Sequence, residues 1–238
     1  MRWILLAVFG SFPLSALAQD ADVGTNMIPD HYASAGKMVA LNDTRSMNLR
    51  CTGKGTPVVI LEAGGNADSS TWYRVQPQLA GLTRVCAYDR AGFGFSDGGP
   101  LPRDLDANVS DLQALIQAAD IQLPVLLVGH SMGSNIVRSF AQRFPEQVVG
   151  LVLVDPPEQG ADQQLPASWK AEIAPMIAQR EALLRTCEAA AKGNDAKTLE
   201  GRCVRQPPPW VGERVATSMR ANKAKLSYWR ALRSEIAT

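Results

Sequence analysis

The sequence predicts an α/β fold: a mostly parallel sheet of about six strands, covered by helices on both faces, with a helical lid at its C-terminal end. Three observations carry this. Apolar runs of strand length alternate with helical patterns between residues 57 and 154, the runs are almost continuously apolar, as strands buried on both faces must be, and no such run recurs after Asp155. Ahead of them, residues 37–41 and 46–51 flank Asn42-Asp43-Thr44-Arg45, a turn-rich connection that predicts a hairpin. The sheet should therefore begin with an antiparallel edge.

Each element has its own signal. Pro57-Val58-Val59-Ile60-Leu61-Glu62 reads as a buried strand, its following loop, residues 63–68, is rich in glycine and turn formers, and a helix is expected over 71–80. The alternation continues with a strand over 84–88, a long loop through Pro102, a helix over 106–119, a strand over 125–128, a helix over 132–144 and a strand over 148–154. Helical patterns then occupy 169–191 and 212–237, separated by Gly193-Asn194-Asp195 and Pro207-Pro208-Pro209. The expected organisation is a signal segment over 1–18, an irregular exposed leader over 19–36, a core over 37–157 and a helical lid over 158–238.

With 238 residues, 46% of them apolar and 20% charged, the chain can bury the core of one globular domain. Its net charge of +1, with lysine and arginine scattered along the chain, gives no support to a nucleic-acid partner. Arg2, a mostly apolar stretch over 3–17 and the small-x-small site Ala16-Leu17-Ala18 predict an export signal cleaved after Ala18, the competing reading being an uncleaved membrane anchor. The destination is then secreted or periplasmic, and no later segment is long and apolar enough to span a membrane. Four cysteines fit an oxidising compartment: Cys51 and Cys86 could meet across neighbouring strands and Cys187 and Cys203 lie near each other, but all three pairings stay open. No metal site is expected, because there is no close cysteine pair and neither His31 nor His130 sits at ligand spacing from the thiols. No cofactor is implied either, since the glycine-rich stretches lack dinucleotide or phosphate-loop spacing.

Gly129-His130-Ser131-Met132-Gly133 points to chemistry. It follows an apolar strand and opens a helix, the context in which Gly-x-Ser-x-Gly forms a sharp turn that exposes a serine hydroxyl. The flanking glycines let strand and helix approach closely, and the amide of the next residue, Met132, faces the place where an oxyanion would form. Ser131 is the candidate nucleophile.

Four motifs in chain order resemble the α/β-hydrolase fold superfamily: residues 57–65, Asp89-Arg90-Ala91-Gly92-Phe93-Gly94-Phe95-Ser96-Asp97, the 129–133 turn, and residues 150–156. The resemblance covers roughly residues 37–157 and is nearest the branch with esterases, lipases and carbon-carbon hydrolases, which insert a helical lid after the sixth strand. It implies an exported serine hydrolase acting on an ester or similar acyl group of a small-molecule substrate. Ser131 is then the nucleophile, the amides of Gly65 and Met132 form the oxyanion hole, with Asn66 a lesser candidate, and residues 89–97 have a structural role.

The family order is serine, then an acid after the seventh strand, then histidine after the eighth, yet no histidine follows Ser131 here. The expectation is a sheet missing its last two strands, a C-terminally truncated hydrolase impaired by the lack of its general base. Neither histidine substitutes. His130 adjoins Ser131 but should project from the turn in another direction, while His31 lies in the leader, and Asp155 could stand in for the acid but has no imidazole to orient. Residues 148–154 should then form an exposed apolar edge. Trp169, Trp210, Tyr228 and Trp229 are expected to pack the lid against the core. The alternative is a non-catalytic ligand-binding or interaction protein derived from the same fold.

Overall fold

The structure, a computed structural model, describes residues 27–158, 160, 165–208 and 210–237. The expected signal segment and the first part of the leader lie outside the described residues. Six strands form one sheet: β1 Lys37–Asn42, β2 Arg45–Thr52, β3 Val59–Glu62, β4 Val85–Tyr88, β5 Val125–His130 and β6 Val148–Val154. Their order is β1-β2-β4-β3-β5-β6. The hairpin β1–β2 is antiparallel and joins β4 antiparallel, whereas β4, β3, β5 and β6 run parallel, which is the expected mostly parallel sheet with an antiparallel edge. Strand β5 runs two residues past the apolar run, because its ladder with β6 continues to the pair His130 and Val154.

The near-continuous apolarity of the inner strands is explained by two covered faces. Val58, Ile60, Cys86, Tyr88 and Leu127 pack with Leu112, Ile116, Ile136 and Phe140 of helices α2 Leu105–Ala118 and α3 Gly133–Arg143. Val59, Leu61, Val85, Ala87 and Val128 face the other way, against Trp72. Because side chains alternate along a strand, every apolar position of β3 and β4 falls on one core or the other.

Three elements depart from expectation. The helix expected over 71–80 is a 3-10 turn, Ser69–Trp72, whose Asp68 cap accepts from the Ser70 amide, followed by the short helix α1 Gln76–Ala80 with Pro77 in its first turn. The helix expected over 212–237 divides into α5 Glu213–Lys223 and α6 Leu226–Ala237, since its halves bury their apolar faces in different places. Val215 and Ala216 of α5 meet Ile28, Tyr32 and Val211, while Tyr228, Trp229 and Leu232 of α6 meet Phe93, Leu184 and Cys187. The leader also departs, for Ile28 and Tyr32 are buried in that first cluster around the 3-10 turn Asp30–Ala33, although His31 stays exposed.

Among the lid aromatics, Tyr228 and Trp229 pack as expected, but Trp169 and Trp210 are about half exposed. The reason lies in helix α4 Ala167–Lys192, whose apolar face reaches the core only from Leu184 onward. The cysteines pair as Cys51–Cys86, between facing residues of β2 and β4, and Cys187–Cys203, within the helical region.

Strand β6 hydrogen-bonds only to β5 among the described residues, and its side chains are poorly covered on both faces: Val149 is 51% exposed and Val152 45%. A flat apolar edge of this kind is a template for association. The double variant Val149→Lys/Val152→Lys should therefore stay monomeric at concentrations where the parent chain self-associates, as read by light scattering on a sizing column. Identical profiles for the two proteins would contradict this view of the edge.

Candidate active site

The turn between β5 and α3 is held in a conformation that only local packing can enforce. Ser131 has φ +49°, a left-handed value that costs a non-glycine residue on the order of 1 kcal/mol or more. Its amide donates to the Val154 carbonyl at 2.9 Å, and its own carbonyl accepts from the Ser134 amide at 2.8 Å. The flanking glycines are there for close approach. A Cβ on Gly129 would lie 2.6 Å from Val137 Cγ2 and 2.8 Å from Ser134 Cα, and one on Gly133 would lie 2.5 Å from the Ala63 carbonyl oxygen. Helix α3 is thus pressed onto the strand before it and onto the end of β3.

This arrangement leaves Ser131 partly exposed, with no side-chain hydrogen bond to any described residue, and its hydroxyl is not among the buried polar atoms. The two residues expected to donate to an oxyanion adjoin it: a Cβ on Gly65 would stand 3.6 Å from Met132 Sδ and one on Gly64 3.3 Å from Ser131 Cβ. Ser131, Met132 and the Gly64-Gly65 loop therefore share one neighbourhood at the C-terminal ends of the parallel strands.

His130 belongs to that neighbourhood without bonding to Ser131. Its Nδ1 would be 2.9 Å from a Gly64 Cβ, its ring meets Trp72 edge-on at 6.5 Å, and Nδ1 is buried with no hydrogen-bond partner among the described residues. His31 is exposed on the turn Asp30–Ala33 and makes no contact with Ser131. Asp155 is exposed just beyond the end of β6, with φ +48°.

Beneath the Gly-rich loop lies a buried charged cluster that the motifs did not disclose. Arg90, 2% exposed, donates from Nη1 to Glu62 Oε1 and to the Ala63 carbonyl, both at 2.7 Å, and from Nη2 to the Gly64 carbonyl at 2.9 Å. Its Nε donates to Glu235 Oε1 of α6 at 2.8 Å. The Tyr88 hydroxyl donates to the other Glu62 oxygen. Helix α6 reaches the same loop a second time, because the Tyr228 hydroxyl donates to Asn66 Oδ1. Loop 63–66 is therefore gripped at one end through Arg90 and at the other by Tyr228.

Electrostatics follow from burial. Desolvation pushes the Glu62 carboxyl up, against the pull of Arg90 and the Tyr88 hydroxyl, and it pushes Tyr88 well above its ordinary value, reinforced by Glu62. Burial alone would lower Arg90, but the carboxylates Glu235 and Glu62 outweigh it and hold the guanidinium protonated. A neighbouring carboxylate, Asp89, is also pushed up by burial; it accepts from Asn48 Nδ2, Ser69 N and Phe95 N and so fixes the turn after β4. This is the structural role expected of residues 89–97. Sequence reasoning did not pair Glu62 with Arg90; the signal available was an acid ending one apolar strand and a base just past another, and the structure makes those strands neighbours. Glu235 had no sequence signal, being 145 residues from Arg90.

Two measurements check this geometry. A raised Glu62 pKa contributes stability that is full below the ordinary carboxyl value of 4.5 and is lost as pH rises through the folded value. The thermal midpoint of the parent should therefore fall more steeply than that of Glu62→Gln as pH rises above 4.5, and parallel curves would refute the assignment. Gly133→Ala should cost about 1–3 kcal/mol in urea unfolding, because backbone atoms of Glu62 and Ala63 block the new methyl; a neutral substitution would show that the close approach is not strained.

Comparison with known proteins agrees with the fold. A family model described as alpha/beta hydrolase fold matches residues 57–212, which include every residue placed around Ser131 except those of α6. The uncharacterized protein YqjL of Bacillus subtilis (strain 168) is 34% identical over 104 residues, 44% of this chain and 41% of that protein. An AB hydrolase superfamily protein of Gibberella zeae is 34% identical over 113 residues, 46% of this chain and 35% of its own length. The matches thus span less than half the length of these curated relatives. The solved structure of the epoxide hydrolase CorEH superposes with a TM-score of 0.61 at 18% identity, covering 84% of this chain and 71% of CorEH, a likeness of fold. With a family model matched over well more than half of its length, the chain belongs to the alpha/beta hydrolase fold family.

Proposed function

We propose that this chain is an exported hydrolase in which Ser131 is the nucleophile and the amides of Gly65 and Met132 stabilise the oxyanion, acting on an ester or similar acyl group of a small molecule. The observation that carries the reading is Ser131 itself, a non-glycine residue at φ +49° on a strand-to-helix turn, partly exposed beside a glycine loop. In the reaction, Oγ attacks the carbonyl carbon and its proton passes to the leaving alcohol. Water then cleaves the acyl-serine to a carboxylic acid, restoring the hydroxyl. Export is supported by the signal pattern of residues 1–18 and by disulfides joining all four cysteines.

The same reading makes the chain a slow catalyst. No imidazole hydrogen-bonds to Ser131 among the described residues, and His130 turns its ring over Gly64. Loss of one triad member leaves about 10³ to 10⁴-fold acceleration over water, from oxyanion stabilisation and binding. An unpaired hydroxyl beside a glycine loop equally suits a non-catalytic ligand-binding protein, the second reading.

Turnover of p-nitrophenyl acetate by the purified chain and by Ser131→Ala separates the two. A slow acetylation that appears as acetyl-Ser131 in intact-mass spectra, and is abolished in Ser131→Ala, is the expected outcome. Equal rates with no acetyl adduct on Ser131 would sink the enzyme reading.

A further inference from the structure

We infer that a cavity remote from Ser131 binds a small organic anion with an apolar body, of the medium-chain carboxylate class. The cavity has a volume of about 610 Å3, within the range of small-molecule pockets, and is bounded by β2, the start of β1, the turn Asp30–Ala33 and helix α1. The strand register fixes where it lies. Its residues Cys51 and Thr52 pair with Cys86 and Val85, at the N-terminal end of β4, whereas Ser131 follows the C-terminal end of the parallel β5.

Charge identifies the ligand's head. Lys37, Arg50, Arg84 and His31 line the cavity, and no aspartate or glutamate does among the described residues. None of the first three forms an ion pair among the described residues, although most other arginines near the core do. Arg50 is held rigidly: Nη1 donates to the His31 carbonyl at 3.3 Å, Nη2 donates to that of Ser34, and the guanidinium lies 4.9 Å from the Tyr32 ring centroid. Its Nε is buried with no hydrogen-bond partner among the described residues. On its other side Arg50 borders a small adjoining cavity with Asp68 and Asp89, which accept from Ser70 N, Ser69 N, Asn48 Nδ2 and Phe95 N, so Lys37 and Arg84 are the cations without a carboxylate among the lining residues.

The walls identify its body. Pro77, Ala80, Ala119 and Leu49 present hydrocarbon, and the buried Gln76 between them is fully engaged, its Nε2 donating to the carbonyls of Arg50 at 2.7 Å and Val85 at 3.1 Å. A bare inorganic anion would leave that apolar wall in contact with water, and a neutral alkyl compound would leave the cations unpaired. A carboxylate on a short chain satisfies both.

The test is calorimetric titration of the full chain with sodium hexanoate, hexan-1-ol and inorganic phosphate, repeated on Lys37→Gln/Arg84→Gln and on Ser131→Ala. Lys37 is exposed and Arg84 half-buried, and neither makes a side-chain hydrogen bond or ion pair among the described residues, so the double variant should fold, which its circular dichroism verifies. Saturable binding of one hexanoate is expected, weakened about tenfold or more in the double variant and unchanged in Ser131→Ala, with hexanol and phosphate each about tenfold weaker. Absence of saturable hexanoate binding overturns the site. So does binding indifferent to the double variant, or binding lost in Ser131→Ala, which would place the ligand at the hydrolytic serine. Hexanol or phosphate bound as well as hexanoate overturns the assigned ligand class.

Discussion

One buried guanidinium ties the working end of this molecule together. Arg90 joins the end of β3, the glycine loop after it and helix α6, and every hydrogen bond it makes is inside the protein. Taking a cation and two carboxylates out of water is expensive, and the attraction between them repays the cost only when geometry is good and the remaining polar atoms are satisfied. Arg90 meets that condition by adding two backbone carbonyls to its two carboxylates, while the Tyr88 hydroxyl takes the second oxygen of Glu62. Removing one partner from such a cluster typically costs 3–5 kcal/mol, roughly, because it strands the others. The loop at residues 63–66 is thereby fixed by interactions too costly to rearrange.

The strain at Ser131 rests on that rigidity. A left-handed serine persists only where its surroundings over-determine it, and here Gly133 is wedged against the Glu62 and Ala63 backbone that Arg90 holds in place. The chain of dependence runs from α6 through Arg90 to β3, and from β3 to the turn. The turn exposes a hydroxyl and presents amides, while the imidazole beside it is committed to packing against Gly64 and Trp72.

Much of this was legible because local rules agreed with the global fold. Apolar continuity over Val58 to Leu61 meant two covered faces, and the structure has two cores there. Glycine spacing around Ser131 meant close approach, and the distances bear that out. What could not be read was long-range. Glu235 and Tyr228 look like ordinary positions on an amphipathic helix, and only folding places them against Arg90 and Asn66. Tyr32 belonged to a stretch with no periodicity, so its burial against Val211 and Val215 left no local trace. The break at Ala224-Lys225 was hidden for a related reason: both halves are good helix, and what separates them is the direction in which each finds apolar cover.

Order is therefore distributed unevenly through the helical region. The C-terminal part of α4 is fastened by the Cys187–Cys203 disulfide and by Trp229 and Leu232 of α6, and α6 is fastened in turn to Arg90. The first turns of α4 have no such attachment among the described residues; Met176 and Ile177 are more than half exposed. Opening free energies track buried apolar contact, so that half should unfold locally at little cost while the other half shares the stability of the core. The boundary falls near Leu184, the first residue of α4 to reach the cluster that α6 completes. The cluster of Leu184, Cys187, Trp229 and Leu232 thus ties the C-terminal half of α4 to α6, and through α6 to Arg90.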